Sequence, residues 1–347
     1  MEILYDTSLR PYNTFGIDVR AQALTHVRSH QELLEALDHL CAFDQHIILG
    51  SGSNVLFTKD FAGLVLHIAL KGMTIVAEDD VFVELEVGAG ELWDDVVRYC
   101  VEQQWGGIEN LSLIPGTMGA APVQNIGAYG VELKDVIVRV RGVMRQTGEH
   151  HTLSGAECAF GYRDSIFKRA LSNRFVISSV TLRLRKQPTA QHLHTEYGAI
   201  KQTLAELFPE TSPTAWTAAN VREAVCAIRR SKLPDPKVLG NAGSFFKNPV
   251  VPRWILERIQ NQVPAVPAFA ATNGRTDYVK IPAGWLIEQC GWKGKRVGNA
   301  GVHALQALVL VNYGEATGSE VFSLAQDIQR SVEERFGIHL DMEVNIV

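Results

Sequence analysis

The stretch ILGSGSNVLF, residues 48–57, reads as a short buried strand running straight into a Gly-Ser-Gly-Ser-Asn turn. Consecutive backbone N–H groups and small hydroxyls at Gly50, Ser51, Gly52, Ser53 and Asn54 suit phosphate or pyrophosphate oxygens. The same residues exclude two familiar nucleotide folds. In a Rossmann G-x-G-x-x-G fingerprint the third glycine would fall at Val55, and no long helical pattern follows. A P-loop would need Gly-Lys-Ser or Gly-Lys-Thr, which is missing. A tight polar turn with no ligand accounts for the GSGS piece alone equally well, so its neighbours must decide.

The most informative neighbour is LSLIPGTMGAAPVQNIGAYG, residues 111–130, where four glycines, two prolines and few charges break every periodicity. A loop this long must pack against something. Small residues together with Thr117, Gln124, Asn125 and Tyr129 suit wrapping a flat cofactor, with backbone groups bonded to ring edges. A disordered linker is the weaker reading, because Leu111, Leu113, Ile114, Pro115, Val123 and Ile126 punctuate the loop.

Around these loops the chain alternates helical and strand patterns. Ser29 and Glu32 form a capping box before ELLEALDHL, and HIILG (46–50) follows as a strand. VFVELEVGAG (81–90) alternates as a strand, and ELWDDVVRYCVEQQ (91–104) reads as a helix stopped by Gly106 and Gly107. Further strands are expected over 136–144 and 174–185, and a helix from Asn220, with Glu223 completing its cap. A last helix carries Val321, Leu324, Ala325, Ile328 and Val332 on one face until Gly337, before a terminal strand IHLDMEVNIV.

With 347 residues, two or three domains are expected. A hydrophobic content of 46% against 20% charged residues excludes a disordered chain. The net charge of −5, with no Lys/Arg-rich run, gives no reason to expect nucleic acid or an anionic membrane as partner. Five scattered cysteines without a CxxC pair argue against a metal site or a disulfide framework. The N-terminus lacks a signal pattern, and the most apolar run, ALQALVLV at 304–311, is too short to cross a bilayer. A reduced, soluble, cytoplasmic protein is expected.

Three short motifs stand out. In GYRDS (161–165) Arg163 has the geometry to bind a carboxylate bidentately, although a surface Arg–Asp pair is the default for such a dipeptide. In LDMEV, alternation puts Glu343 on the polar face of a strand. In NAGSFFKNPV (241–250) Ser244 lacks a nucleophile elbow or a recognisable His–Asp pairing. A proton donor held near an apolar wall, needing position and low water access more than a base, stays open.

The ordered set NTFGI, LGSGSNVL, GAGELW, LIPGTMGAAPVQNIGAYG, GYRDS, KLPDPKVLGNAGSFFKNPV, AGWLIEQCGWKG and NAGVHALQALVLVN, with a terminal EV, resembles the UDP-N-acetylenolpyruvoylglucosamine reductases of bacterial peptidoglycan synthesis over essentially the whole chain. The resemblance implies an α+β protein: a two-subdomain FAD-binding fold of the PCMH or vanillyl-alcohol-oxidase type plus a separate α+β substrate-binding domain. The implied boundaries are 1–70 for the first FAD subdomain, which the terminal strand 338–347 can join, 71–215 for the second, and 216–337 for the substrate domain.

It further implies non-covalent FAD, NADPH as co-substrate, a UDP-linked enolpyruvyl sugar as substrate, no metal and a monomer. Hydride would pass through the flavin to the methylene carbon, and a proton to the carbon bearing the carboxylate. Carried over by motif, Ser244 is the proton donor, Arg163 the catalytic arginine and Glu343 the catalytic glutamate. The cofactor set is Gly50, Ser51, Gly52, Ser53, Asn54, Pro115, Gly116, Thr117, Gly119, Ala120, Gln124, Asn125, Gly127 and Ala128.

Tyr197, Lys232, Asn248 and Gln289 would bind the uridine diphosphate, Tyr197 marking the longer, type I form. Arg229 and Lys280 are further anion ligands in this reading. Two departures matter: the chain ends four residues after Glu343, and Asn345 stands where an arginine is common, so a less anchored Glu343 is expected. The rival reading is another FAD-dependent oxidase or dehydrogenase on the same fold, against which the KLPDPKVLGNAGSFFKNP block argues. A non-catalytic nucleotide-binding protein would need the Arg163, Ser244 and Glu343 trio broken.

Overall fold

The structure is a computed structural model that describes residues 1–271 and 276–347. Two compact units emerge, and both are discontinuous in sequence. The first comprises 1–7, 21–51 and 62–231; the second comprises 8–20, 52–61 and 232–347. Helices and strands mix in each, so the chain is α+β.

Two larger sheets and the short pair Gly127–Ala128 with Val131–Glu132 lie in the first unit. Strands β1 (Ile3–Ser8), β2 (Arg20–Val27), β3 (His46–Leu49) and β4 (Phe61–Ile68) form one sheet in the order β1-β2-β4-β3. The β3–β4 pair is parallel, His46 lying beside Leu64. Strands β5 (Met73–Glu78), β6 (Phe82–Gly88), β7 (Ile137–Met144), β8 (His150–Ser154) and β9 (Phe175–Lys186) run in the order β8-β7-β9-β6-β5 in the other, with Trp105–Gly106 pairing β9 off this path. Alternation explains the burial of β6: Val83, Leu85 and Val87 enter the core, while Glu84 and Glu86 reach Arg139 and Arg141.

Helices α1 (His30–Asp38), α2 (Trp93–Glu102), α3 (Ile200–Leu207) and α4 (Ala218–Lys232) bury their apolar stripes against these sheets in one continuous core. Ser29 caps α1 by accepting the Glu32 N–H, but the Glu32 carboxylate returns to the N–H of Arg28 and not to Ser29. Helix α4 starts earlier than its Asn220 signal suggests. Thr217 and Asn220 bond each other at the helix entry, so Thr217 takes the capping position and the helix opens at Ala218.

In the second unit β10 (Gly240–Ser244), β11 (Ala300–Val302) and β12 (Val309–Asn312) pair as β10-β12-β11, with Arg296–Val297 at the edge beyond β11. Helices α5 (Arg253–Gln260), α6 (Ala283–Gln289) and α7 (Gly318–Phe336) lie in the same unit, with a small sheet of Val250–Pro252, Tyr278–Lys280 and Phe269–Ala270. Thr317 and Glu320 form the capping box of α7, and Gly337 ends it at φ +64°. All five residues expected on the apolar face of α7 are buried. The expected terminal strand shrinks to Asn345–Ile346, which pairs parallel with Val55–Leu56. The pattern-breaking 232–250 stretch is not wholly loop either, since it contains β10.

Between adjacent strands β2 and β4 the Nδ1 atoms of His26 and His67 lie 2.9 Å apart, one ring donating to the other. Burial, then the charges of His26, Arg28 and Lys71, push His67 down to about 4. An unfolded histidine takes its proton near 6.5, so the unfolded chain binds more protons between about pH 6.5 and 4. Stability should therefore fall as pH falls through that window and level off below it. Thermal melts of His67→Asn should show a shallower pH slope there; an unchanged slope would contradict the assignment.

Candidate active site

The sequence-selected residues divide between the two units. In the first unit Gly50 and Ser51 follow β3, and the Ser51 Oγ is buried with no hydrogen-bond partner among the described residues. A Cβ on Gly50 would sit 2.4 Å from Thr117 Oγ1, so only glycine lets the two loops touch. The second loop is tied to its own neighbours. Met118 N–H donates to the Glu91 carbonyl, Trp93 N–H to Gly116 and Gly119 N–H to Ala89. Pro115 and Ala120 are exposed at its rim.

GYRDS is stitched onto the far end of that loop. Asn125 Nδ2 donates to the Gly161 carbonyl, Ser165 Oγ to Val123 and Arg163 Nη2 to Gly127, at 3.1, 2.6 and 3.0 Å. The default Arg163–Asp164 pair is not formed: Asp164 pairs with Arg169 at 3.2 Å. Arg163 itself has φ +53°. Leu113, Asn125 and Tyr129 are also left-handed, a conformation that costs a non-glycine residue about 1–2 kcal/mol. Such strain gathers where a local structure is held for a purpose. The Asn125 side chain is committed to this scaffold, since it also donates to Glu132 and accepts the Lys134 N–H. Gln124, Gly127 and Ala128 are half-buried beside it.

Tyr197 is exposed and meets Tyr129 edge to face at 6.4 Å. Arg229, held in reserve as an anion ligand, is turned inward: its Nη2 donates to the Leu113 carbonyl at 3.2 Å, and it bonds the Tyr129 hydroxyl. Burial lowers its pKa below the usual arginine value, and it raises that of Tyr129.

The second unit holds Gly52, Ser53 and Asn54 together with Ser244 and Glu343. Gly52 has φ +62°, and a Cβ there would lie 2.0 Å from the Tyr12 carbonyl oxygen. Asn54 is spent on the C-terminal segment: its Nδ2 donates to the Glu343 carbonyl, and its own carbonyl accepts N–H groups of Asn345. Glu343 N–H donates to the Phe245 carbonyl at 2.8 Å, and Met342 bridges Phe246. Thr58 N–H and Oγ1 both donate to the Val347 carbonyl. The expectation of a poorly anchored Glu343 is therefore not met.

Ser244 ends β10 at a bulge. Asn241 pairs with Val311 and Ser244 with Val309, so one extra residue is absorbed, and Gly243 takes φ +69°. Asn241 Oδ1 accepts the Gly243 N–H and fixes the bend. Phe245 and Phe246 are buried to 0% and 1% exposure, packed edge to face at 5.2 Å, each stabilising by about 2–3 kcal/mol. Ser244 itself is exposed. The phenylalanines thus anchor the loop in the core and do not wall the serine from water, which corrects the sequence expectation.

Lys232 is the last residue of α4 and is exposed. Asn248 Oδ1 accepts the Ala283 N–H at the start of α6, and Gln289 closes the same helix, its carbonyl accepting from Arg335. Lys280 ends the short strand Tyr278–Lys280. Asp94 and Arg222, which sequence reasoning passed over, form a bidentate pair at 2.7 and 2.9 Å beside Leu113. Among the described residues no helix is long and apolar enough to cross a membrane.

Comparison with known proteins fits this geometry. The family model for the UDP-N-acetylenolpyruvoylglucosamine reductase C-terminal domain matches residues 235–347, and an FAD-binding domain model matches 21–154. A UDP-N-acetylenolpyruvoylglucosamine reductase of Pseudomonas putida is 49% identical over 340 residues, covering 98% of this chain and 97% of that one. One from Bacteroides fragilis is 47% identical over 340 residues, covering 98% of each. The fold is shared with the reductase of Thermus caldophilus, at TM-score 0.67 and 23% identity over 99% of this chain and 98% of that one. It is also shared with 6-hydroxy-D-nicotine oxidase of Arthrobacter nicotinovorans, at TM-score 0.51 and 13% identity over 97% and 86%.

The Gly50–Thr117 contact yields a direct test. Gly50→Ala should destabilise the chain by about 1–3 kcal/mol through overpacking, and Thr117→Ala in the same chain should recover part of that loss. Denaturant unfolding of the two single variants and the double variant checks it. Additive losses would deny the contact.

Proposed function

The chain belongs to the UDP-N-acetylenolpyruvoylglucosamine reductase family, and from that premise we propose how its own residues carry the reaction. It is an FAD-dependent oxidoreductase that reduces UDP-N-acetylglucosamine enolpyruvate to UDP-N-acetylmuramate in peptidoglycan precursor synthesis. NADPH is the reductant in this reading. The division into FAD subdomains over 1–70 and 71–215 and a substrate domain over 216–337, the monomeric state and the cytoplasmic location belong to the same proposal.

The residues present fit FAD. The unpartnered buried Ser51 Oγ and the Thr117 hydroxyl packed against Gly50 are the small polar groups that suit a diphosphate. Pro115, Gly116, Thr117, Gly119 and Ala120 would hold the cofactor on one loop, with Gln124, Asn125, Gly127 and Ala128 following. Ser53 and Asn54 extend the first turn. The chemistry that FAD supplies when bound is hydride, taken from NADPH and delivered to the methylene carbon of the enolpyruvyl ether.

Everything else falls to the protein. Addition of hydride pushes negative charge toward the substrate carboxylate, and the Arg163 guanidinium is a fixed cation to meet it. Its left-handed backbone and its bond to Gly127 hold it in place. The Ser244 hydroxyl donates the proton to the carbon bearing the carboxylate. Being exposed, Ser244 can recover that proton from water. Glu343 completes the polar clamp. Tyr197, Lys232, Asn248 and Gln289 bind the uridine diphosphate.

The observation that carries this reading is the main-chain pairing of residues 342–343 with 245–246, which sets Glu343 one residue along from Ser244 within one unit. Ser244→Ala should leave flavin reduction by NADPH intact while slowing reduction of the enolpyruvyl substrate by about 10²–10⁴-fold. Rapid-mixing measurement of the two half-reactions decides. Equal losses in both would remove the serine from its role. If Glu343 acts as a hydrogen-bond donor, Glu343→Gln should retain more activity than Glu343→Ala; equal losses would contradict that.

A further inference from the structure

Leu113 is held on both sides of its peptide by charged side chains from two helices. Its N–H donates to Asp94 Oδ1 at 2.6 Å, and its carbonyl accepts Arg229 Nη2 at 3.2 Å. Asp94 lies in the first turn of α2, whereas Arg229 lies near the end of α4. Asp94 is in turn fixed by Arg222, about two turns before Arg229 on the same face of α4, through two parallel bonds at 2.7 and 2.9 Å. Leu113 has φ +56°, a conformation that a leucine does not adopt unaided. Its position is telling: it stands immediately before Ile114-Pro115-Gly116-Thr117, and Gly116 is then pinned by Trp93 N–H from the same helix as Asp94.

We propose that Asp94, Arg222 and Arg229 act as a positioning clamp that preforms the Pro115–Thr117 turn for the FAD diphosphate. This inference rests on the reading that the turn contacts FAD. A partly buried ion pair adds little stability once desolvation is counted, so an Asp94 and an Arg229 that both bond Leu113, with Arg222 fixing Asp94, are better explained by geometry than by strength. Burial would raise the Asp94 pKa, but the Arg222 bonds and the Leu113 N–H outweigh it and hold the carboxyl below its usual range. Asp94 is therefore ionised at neutral pH. By preforming the turn it spares FAD the cost of ordering the loop, so its loss should appear as weakened binding and not as altered chemistry.

The test is the equilibrium affinity of the flavin-stripped full chain for FAD, followed by flavin fluorescence, in Asp94→Asn, Arg222→Lys and Gly116→Ala. The clamp predicts at least tenfold weaker binding for Asp94→Asn, a smaller loss for Arg222→Lys, which keeps the charge without the fork, and recovery of the parent kcat at saturating FAD. Unchanged affinity in Asp94→Asn with a lowered melting temperature would make the pair merely structural and overturn the inference. Should Asp94→Asn fail to fold, Arg222→Lys decides on the same criterion. Gly116→Ala tests the underlying reading: if it binds FAD like the parent, the turn is not a FAD ligand and the clamp falls with it.

Discussion

The hydrogen bond from Glu343 N–H to the Phe245 carbonyl joins residues nearly a hundred positions apart, and the second unit is organised around it. On one side the buried Phe245 and Phe246 fix the chain in the core. On the other, Asn54 and Thr58 receive the last residues of the chain. The Gly243 bulge then sets the one polar residue before the phenylalanines outside the core. The serine and the glutamate proposed to act in one reaction are thereby placed by main-chain bonds, which do not depend on which side chains the loops carry.

Much of this was readable in the sequence. Periodicity gave the apolar face of α7, the alternation of β6 and the strand before Gly50, because each is local and repeats at a fixed spacing. Glycine clusters marked close approach, and Gly50 against Thr117 is such a case. Family resemblance supplied roles that spacing could not, such as the assignment of Ser244.

Other features were hidden for physical reasons. The Asp94–Arg222 pair spans 128 positions, and each member reads locally as an ordinary charged residue of an amphipathic helix. Nothing in GYRDS shows that Asp164 turns to Arg169 while Arg163 turns to Gly127. The two phenylalanines were visible as apolar, but the direction in which they pack depends on the bulge, which is a property of two paired strands. Thr217 was missed as a cap because Asn220 carries an equally good capping side chain, and the two bond each other.

The central claim is that this chain passes reducing equivalents through bound FAD to an enolpyruvyl sugar nucleotide. The most direct measurement follows the flavin colour of the purified FAD-loaded protein without oxygen. NADPH should bleach it, and UDP-N-acetylglucosamine enolpyruvate should restore it with formation of the saturated product. A bleached protein whose colour the enolpyruvyl substrate fails to restore would contradict the account.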